Sequence, residues 1–226
     1  MRTIGIIGAM PSELADIRAV LTDSLEETHA GFDFYINEID GLRVVNACCG
    51  IAKVNAALCT QVMIDRYDLN AVINTGIAGG MNPDVQVCDI VISSEVLPHD
   101  LELRFLDNYP PYNSVFMADK KLISIAQKVC EEKGITAFTG PMVSGESFIC
   151  SNEEKQRITE KFNAFSVDME SSAIGHCCYM NNMPFVSVRC ISDNADDDGA
   201  MSFDEFEKIA AKRVADIVLE MVKRLQ

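Results

Sequence analysis

Apolar runs of strand length alternate along the chain with stretches of helical period, and that alternation predicts the order of its elements. Thr3-Ile4-Gly5-Ile6-Ile7-Gly8 is a continuous apolar run, short enough for a buried strand. Ala9-Met10-Pro11-Ser12-Glu13 follows; Pro11 and Ser12 suit a helix start and put Glu13 in or just before a first turn. From Phe32 to Asn46 apolar and polar residues alternate about Asp40-Gly41, which predicts an antiparallel hairpin. Gly50-Ile51-Ala52-Lys53 leads into a helix from Val54 to Arg66 with apolar residues at 3.6 spacing. Ala71-Val72-Ile73-Asn74-Thr75 then reads as a buried strand running into a glycine-rich turn, Gly76-Ile77-Ala78-Gly79-Gly80. Bare backbone N–H groups can approach a ligand closely there, and a tight turn with no ligand accounts for the same glycines.

The second half repeats the alternation. Asp89 to Ser94 is a strand, and Leu97 to Phe116, with prolines, aromatics and no periodicity, predicts a long functional loop. Asp119 to Lys133 is an amphipathic helix ended by Gly134. Thr139 to Ile149 reads as a strand and a polar turn carrying Phe148, and Asn152 to Phe162 as a charged helix. Phe165 to Glu170 is a short strand, followed by a helix and by the strand Pro184 to Asp193. Both of these strands end in carboxylates, and in an open α/β sheet ligands bind outside the carboxyl ends of the strands. Extended backbone through Asp168-Met169-Glu170 places the two carboxylates on one face and Met169 on the other. The predicted fold is α/β, a mixed and largely parallel central sheet flanked by helices, in one domain over residues 1–226.

Composition narrows the partners. A chain of 226 residues with 48% hydrophobic content can bury an ample core. Its formal net charge of −15 repels a nucleic acid polymer or an anionic membrane surface, so the expected ligand is small and not highly anionic. The nine cysteines show no CxxC spacing and read as buried thiols in a reducing cytoplasm. No apolar run approaches the roughly 18 residues of a membrane span, and no signal-peptide core precedes the first strand.

Gly5 to Met10 is not a GxGxxG fingerprint, and no acidic residue follows a second strand at the expected distance, which excludes a dinucleotide-binding fold. The segment from Asn194 to Glu205 nearly satisfies a calcium-loop pattern. A β-branched strand stands upstream where an EF-hand needs a helix, and Ser202-Phe203-Asp204-Glu205 reads as a capping box for a helix ending near Leu225. Glu13, Glu170 and Asp193 stand at or just past the ends of apolar strands, with Phe148 and the glycine segment nearby. That set suits acid/base work on a flat ligand. For Glu13 taken alone, a first-turn carboxylate favoured by the helix dipole is the plain alternative.

Taken in order, several segments resemble the 5′-methylthioadenosine/S-adenosylhomocysteine nucleosidases of the purine nucleoside phosphorylase superfamily. They are Gly5-Ile6-Ile7-Gly8-Ala9-Met10 with Glu13, Gly50-Ile51-Ala52-Lys53-Val54-Asn55-Ala56-Ala57, Asn74-Thr75-Gly76-Ile77-Ala78-Gly79-Gly80, Ser144-Gly145 with Phe148-Ile149, Met169-Glu170, Arg189 with Ile191-Ser192-Asp193, and Ser202 to Phe206. The resemblance spans nearly the whole chain and implies a nucleoside phosphorylase-like catalytic domain that hydrolyses the bond between adenine and ribose in 5′-substituted adenosines. Asp193, held with Ser192, would protonate the purine N7, and Glu13 would activate the attacking water. Glu170 would bind the ribose hydroxyls, Met169 would pack on the ribose, Phe148 would stack on adenine, the Ile149 backbone would read its edge, and Phe203 would cover it. Met10, Ile51, Ile77, Ala78, Gly79 and Asp168 would complete the substrate site, with Arg189 in support. No cofactor and no metal enters this reading. It also implies a cytoplasmic homodimer in which the loop over 97–116 lies near the partner's site.

A nucleoside phosphorylase is the alternative within the same fold. Glu13 weighs against it, because a carboxylate about 4 Å from a phosphate oxygen costs about 4 kcal/mol per charge pair at an effective dielectric of about 20. A non-catalytic nucleoside- or calcium-binding module is a further alternative. The chain departs from the family pattern at Asp168, where glutamate is common, at Glu146, where aspartate is common, at Ile77, where some members have serine, and at Ala52, where glycine is usual. It departs most over Leu101 to Tyr112, which lacks the family's glycine turns.

Overall fold

The computed structural model describes residues 1–39 and 41–225. In chain order its elements are β1 (Arg2–Gly8), α1 (Pro11–Val20), β2 (Leu25–His29), β3 (Phe32–Ile39), β4 (Leu42–Cys48), α2 (Lys53–Arg66), β5 (Ala71–Gly80) and β6 (Ile90–Pro98). There follow α3 (Leu103–Asn108), β7 (Phe116–Met117), α4 (Lys120–Glu132), β8 (Ala137–Ser144), α5 (Asn152–Phe162), β9 (Ser166–Asp168), α6 (Ser171–Met180), β10 (Phe185–Asp193) and α7 (Gly199–Lys223).

All the strands belong to one mixed sheet, and part of it closes on itself. β10 pairs with both β5 and β6, β6 pairs with β8, β8 with β9, and β9 returns to β5. From β5 the sheet continues outward through β1, β4, β3 and β2. The parallel run β4-β1-β5-β10 forms its middle. β1, β5 and β10 read as continuous apolar runs because both faces are covered by helices. β5 and β10 are buried along their whole lengths, and α7 packs across both.

Several expectations are corrected in detail. The glycine segment predicted as a turn is strand through Gly80: Gly79 and Gly80 pair with Val167 and Ser166, and β10 pairs along the other edge as far as Gly79. With a partner on each side, Gly79 and Gly80 are drawn into ladders rather than into a turn. Gly76 still needs its glycine, having φ +149 and space so close that a Cβ would collide with Glu13 and Arg189. The long loop over 97–116 contains strand as far as Pro98 and the short helix α3. The predicted capping box does not cap: α7 begins at Gly199, so Ser202 lies inside the helix and its N–H bonds the Asp198 carbonyl. The segment after Asp193 is therefore a short loop between strand and helix, without the upstream helix an EF-hand needs. The hairpin forms with Ile39 opposite Leu42; Asp40, placed in its turn by the sequence, lies outside the described residues.

Candidate active site

The carboxyl ends of β1, β5, β9 and β10 converge on a pocket of about 290 Å³. It is lined by Met10, Glu13, Ile51, Ile77, Ala78, Gly79, Phe148, Asp168, Met169, Glu170, Ser192, Asp193 and Phe203, all singled out in the sequence, together with Ala9 and Val167, which were not. Ile149 is buried beside it and lines a small adjoining cavity, and Arg189 lies behind the carboxylates, outside the lining.

Glu13 is the third residue of α1, which begins at Pro11, and its side chain folds back over the helix start. Oε2 accepts from the N–H groups of Ala9 (2.6 Å) and Met10 (2.9 Å), and Oε1 from that of Ile77 (2.9 Å). The carboxylate thus satisfies orphan donors of the helix, as the plain reading requires, and also faces the pocket. Burial pushes its pKa up, opposed by Arg189 and by the three backbone donors.

Asp193 ends β10 and is 1% exposed. Oδ1 accepts from the Ala195 N–H at 2.8 Å and Oδ2 from the Ser192 hydroxyl at 2.8 Å. Burial raises its pKa, with Asp196 adding to the shift and the two hydrogen bonds opposing it. A carboxyl raised in this way holds a proton further toward neutral pH than an exposed aspartate does.

Glu170 stands at the N-cap of α6, with Oε1 accepting from the Ala52 N–H at 2.9 Å and Oε2 3.5 Å from Arg189 Nη2. Burial pushes it up to about 7, against Arg189. Asp168 differs from its neighbour. Oδ1 accepts from the Ser144 hydroxyl at 2.5 Å and from the N–H groups of Glu170 and Ser171, and Oδ2 from the Ser171 hydroxyl and, at 2.9 Å, Arg189 Nη2. Both of its oxygens are taken up by protein donors.

Arg189 is fully buried and holds the acids together: Nη1 is 3.5 Å from Glu13, while Nη2 bonds Asp168 and the Asn74 side chain (2.9 Å). Burial alone would lower its pKa, but the surrounding carboxylates hold it raised. On the far wall Phe148 and Phe203 meet edge to face, with ring centroids 5.6 Å apart. Ala9 and Val167 were not among the expected site residues because small and aliphatic residues in apolar runs look like core, although Ala9 stands in the Gly5 to Met10 motif and Val167 beside Asp168. Asn74, Ser171 and Ser187, which support Arg189, had a clearer one, being polar residues within buried apolar segments.

Residues 3–223 match the profile of the phosphorylase superfamily. The 5′-methylthioadenosine/S-adenosylhomocysteine nucleosidase of Oceanobacillus iheyensis is 36% identical over 228 residues, spanning 99% of this chain and all of that protein. This chain belongs to that nucleosidase family. Among solved structures, the nucleosidase of Neisseria meningitidis in complex with methylthio-immucillin-A superposes with a TM-score of 0.94 at 35% identity, covering 99% of this chain and 100% of that one. The futalosine hydrolase of Helicobacter pylori superposes with a TM-score of 0.93 at 29% identity, covering 99% and 98%. The expected α/β class and family membership agree with these matches, and the matched residues include the whole pocket lining, from Ala9 to Phe203.

Proposed function

We propose that the protein hydrolyses the N-glycosidic bond of 5′-substituted adenosines, such as 5′-methylthioadenosine and S-adenosylhomocysteine, releasing adenine and the free 5-substituted ribose. It recycles by-products of S-adenosylmethionine and serves methionine salvage. The observation that carries this reading is the charge of the pocket wall: four carboxylates line it, and no Lys, Arg or His among the described residues does. The nearest cation, Arg189, is buried behind them and already faces three of those acids. A phosphate nucleophile would meet repulsion with no free cation to receive it, whereas water is activated by such a site.

The roles are those that the family resemblance implies, and the geometry supports them. Asp193, whose pKa burial raises, delivers a proton to the purine N7 as the base departs. Glu13, anchored from behind by three N–H donors, takes the proton of the attacking water. Glu170 binds the ribose hydroxyls and faces the positive charge that develops on the sugar. Met169 packs on the ribose, Phe148 and Phe203 enclose adenine, and the Ile149 backbone reads its edge. Asp168, already saturated, seats Arg189 and the start of α6.

The whole of 1–226 acts as one catalytic domain, as a homodimer in the cytoplasm. Free thiols at all nine cysteines support the reducing compartment, and no helix among the described residues is long and apolar enough to cross a membrane. Support for the dimer is the apolar surface beside the pocket mouth: Ile51, Val54 and Leu58 around α2, Leu101 and Phe105 at α3, and Met180 on α6 are all exposed. Pairing through this face brings the segment over 97–116 near the partner's pocket, and sedimentation equilibrium is its check.

The experiment on the activity is base release from 5′-methylthioadenosine with and without phosphate. Adenine and free methylthioribose at a phosphate-independent rate are expected; recovery of a ribose 1-phosphate would overturn the assignment.

A further inference from the structure

Asn74 lies in β5, is 1% exposed and does not line the pocket. A buried central strand ordinarily carries an apolar residue at such a position. Its amide instead makes three hydrogen bonds. Nδ2 donates to the Ile7 carbonyl at 3.0 Å, while Oδ1 accepts from the Ser187 hydroxyl (2.8 Å) and from Arg189 Nη2 (2.9 Å). The two ends of this one side chain reach the two supports of Glu13. Ile7 lies at the end of β1, directly before the turn whose Ala9 and Met10 N–H groups hold Glu13 Oε2. Arg189 approaches Glu13 Oε1 with its other nitrogen, 3.5 Å away.

A guanidinium is rigid and planar, so fixing one terminal nitrogen fixes the aim of the other. Among its carboxylate contacts Arg189 is closest to Asp168 at 2.9 Å and stands off at 3.5 Å from both Glu13 and Glu170. All three carboxylates attract it, Asp168 most strongly because it is nearest, and the Asn74 oxygen, 2.9 Å from Nη2, adds a directional contact that limits movement toward Asp168. We infer that Asn74 is a positioning residue that ties the Arg189 guanidinium to the end of β1 and keeps it within reach of Glu13 and Glu170 as well as Asp168. Both strands already have their backbone ladders, so pairing them does not require this amide. The inference rests on Glu13 and Glu170 acting as proposed above.

The test is Asn74→Ala. Its kcat toward 5′-methylthioadenosine is expected to fall at least about tenfold, since a misplacement of about 1 Å can cost about a hundredfold. Affinity for adenine alone should stay within about twofold, because Phe148, Ile149 and Asp193 share no hydrogen bond or ion pair with Arg189. If Asn74 acts through the guanidinium, adding it to Arg189→Lys should cost less than about threefold beyond the worse single variant. A kcat within about threefold of wild type, parallel loss of adenine binding, or fully multiplicative costs would each overturn the inference. Should Asn74→Ala yield no folded protein, Ser187→Ala decides: a fall in kcat of about threefold or more with adenine affinity retained supports the inference, and a smaller fall overturns it. A crystal structure of Asn74→Ala tests it without reference to activity. Arg189 should lie closer to Asp168 and farther from Glu13, and an unmoved guanidinium would overturn the positioning role. A wild-type enzyme that released no adenine would refute the proposed activity and leave that crystallographic test standing.

Discussion

Glu13 serves two purposes with one carboxylate. Three backbone N–H donors hold it from behind, and burial raises its pKa while its face meets the pocket. Asp193, likewise raised by burial, is the complementary acid in the proposed reaction. Glu13→Gln and Asp193→Asn should each lower kcat by about 10² to 10⁴, the usual contribution of a positioned base or acid. Either variant retaining more than about a tenth of wild-type turnover would remove that residue from its role. The pH–rate profile should be bell-shaped: activity falls with acidification as Glu13 gains a proton, and with alkalinisation as Asp193 loses one. In kcat/KM each variant should lose its own limb, Glu13→Gln the acidic and Asp193→Asn the basic, and a limb that survives its variant belongs to another group.

Among the elements, the turn into α2 and the segment around α3 carry what is individual to this chain. Ala52 sits at φ +83, a left-handed conformation that favours glycine, because its N–H must reach Glu170. Ala52→Gly should relieve this strain and stabilise the fold by roughly 1 kcal/mol, about 2–4 °C in melting temperature for a chain of this size. No rise, or a fall, would show that the Cβ costs nothing there. Around α3, Arg104 pairs with Glu102 at 2.6 Å and stacks over the Phe105 ring, while Phe105 itself is 46% exposed. In the proposed dimer this segment would give the partner's pocket an apolar wall worth about 0.8 kcal/mol per ligand methylene it buries. Preference among 5′ substituents is then expected to depend on this segment, and discrimination of adenine on Asp193 and the Phe148-Ile149 turn. The measurement is kcat/KM for methylthioadenosine, S-adenosylhomocysteine, 5′-deoxyadenosine, adenosine, inosine and futalosine. If methylthioadenosine leads adenosine by more than about a hundredfold, roughly 2.7 kcal/mol, the pocket is apolar despite its charged neighbours. Inosine matching the adenosines would refute the base-site assignment.

For the molecule as a whole, gathering acids around one buried cation makes stability depend on pH. Glu170 is held near 7 in the fold against an ordinary 4.5, so the folded state binds its proton more tightly. Its contribution is fully present below the lower value and lost as pH rises through the higher one. Glu13 and Asp193 shift in the same direction, and the net charge of −15 adds self-repulsion as they ionise. His99 and His176 oppose them: burial lowers both, so acidification below their ordinary 6.5 costs stability. Melting temperature should therefore rise as pH falls from about 8 to about 6.5 and level off below, with a shallower slope in Glu170→Gln. A melting temperature that climbs with pH across that window would contradict the assignment.

Much of this was legible in the sequence. Continuous apolar runs marked β1, β5 and β10, because strands covered on both faces have no polar side to show. Carboxylates at strand ends marked Glu170 and Asp193, since side chains there leave the ladder and face the crevice. Ordered motifs from Gly5 to Phe206 identified the family. Long-range pairing decided the rest. Whether Gly76 to Gly80 turns or continues as strand depends on β9 and β10, which arrive about ninety or more residues later in the chain. The start of α7 moved to Gly199 although Ser202 to Glu205 carried a capping signal, a local preference of about 1 kcal/mol that tertiary packing overrides. Asp168 and Glu170 look equivalent two residues apart; only the fold surrounds one with donors on every side and leaves the other facing the pocket. Sequence determined which residues carry charge into the crevice, because that follows from local pattern. Tertiary structure decided which of those charges are free to meet a ligand, because that depends on partners brought in from distant strands.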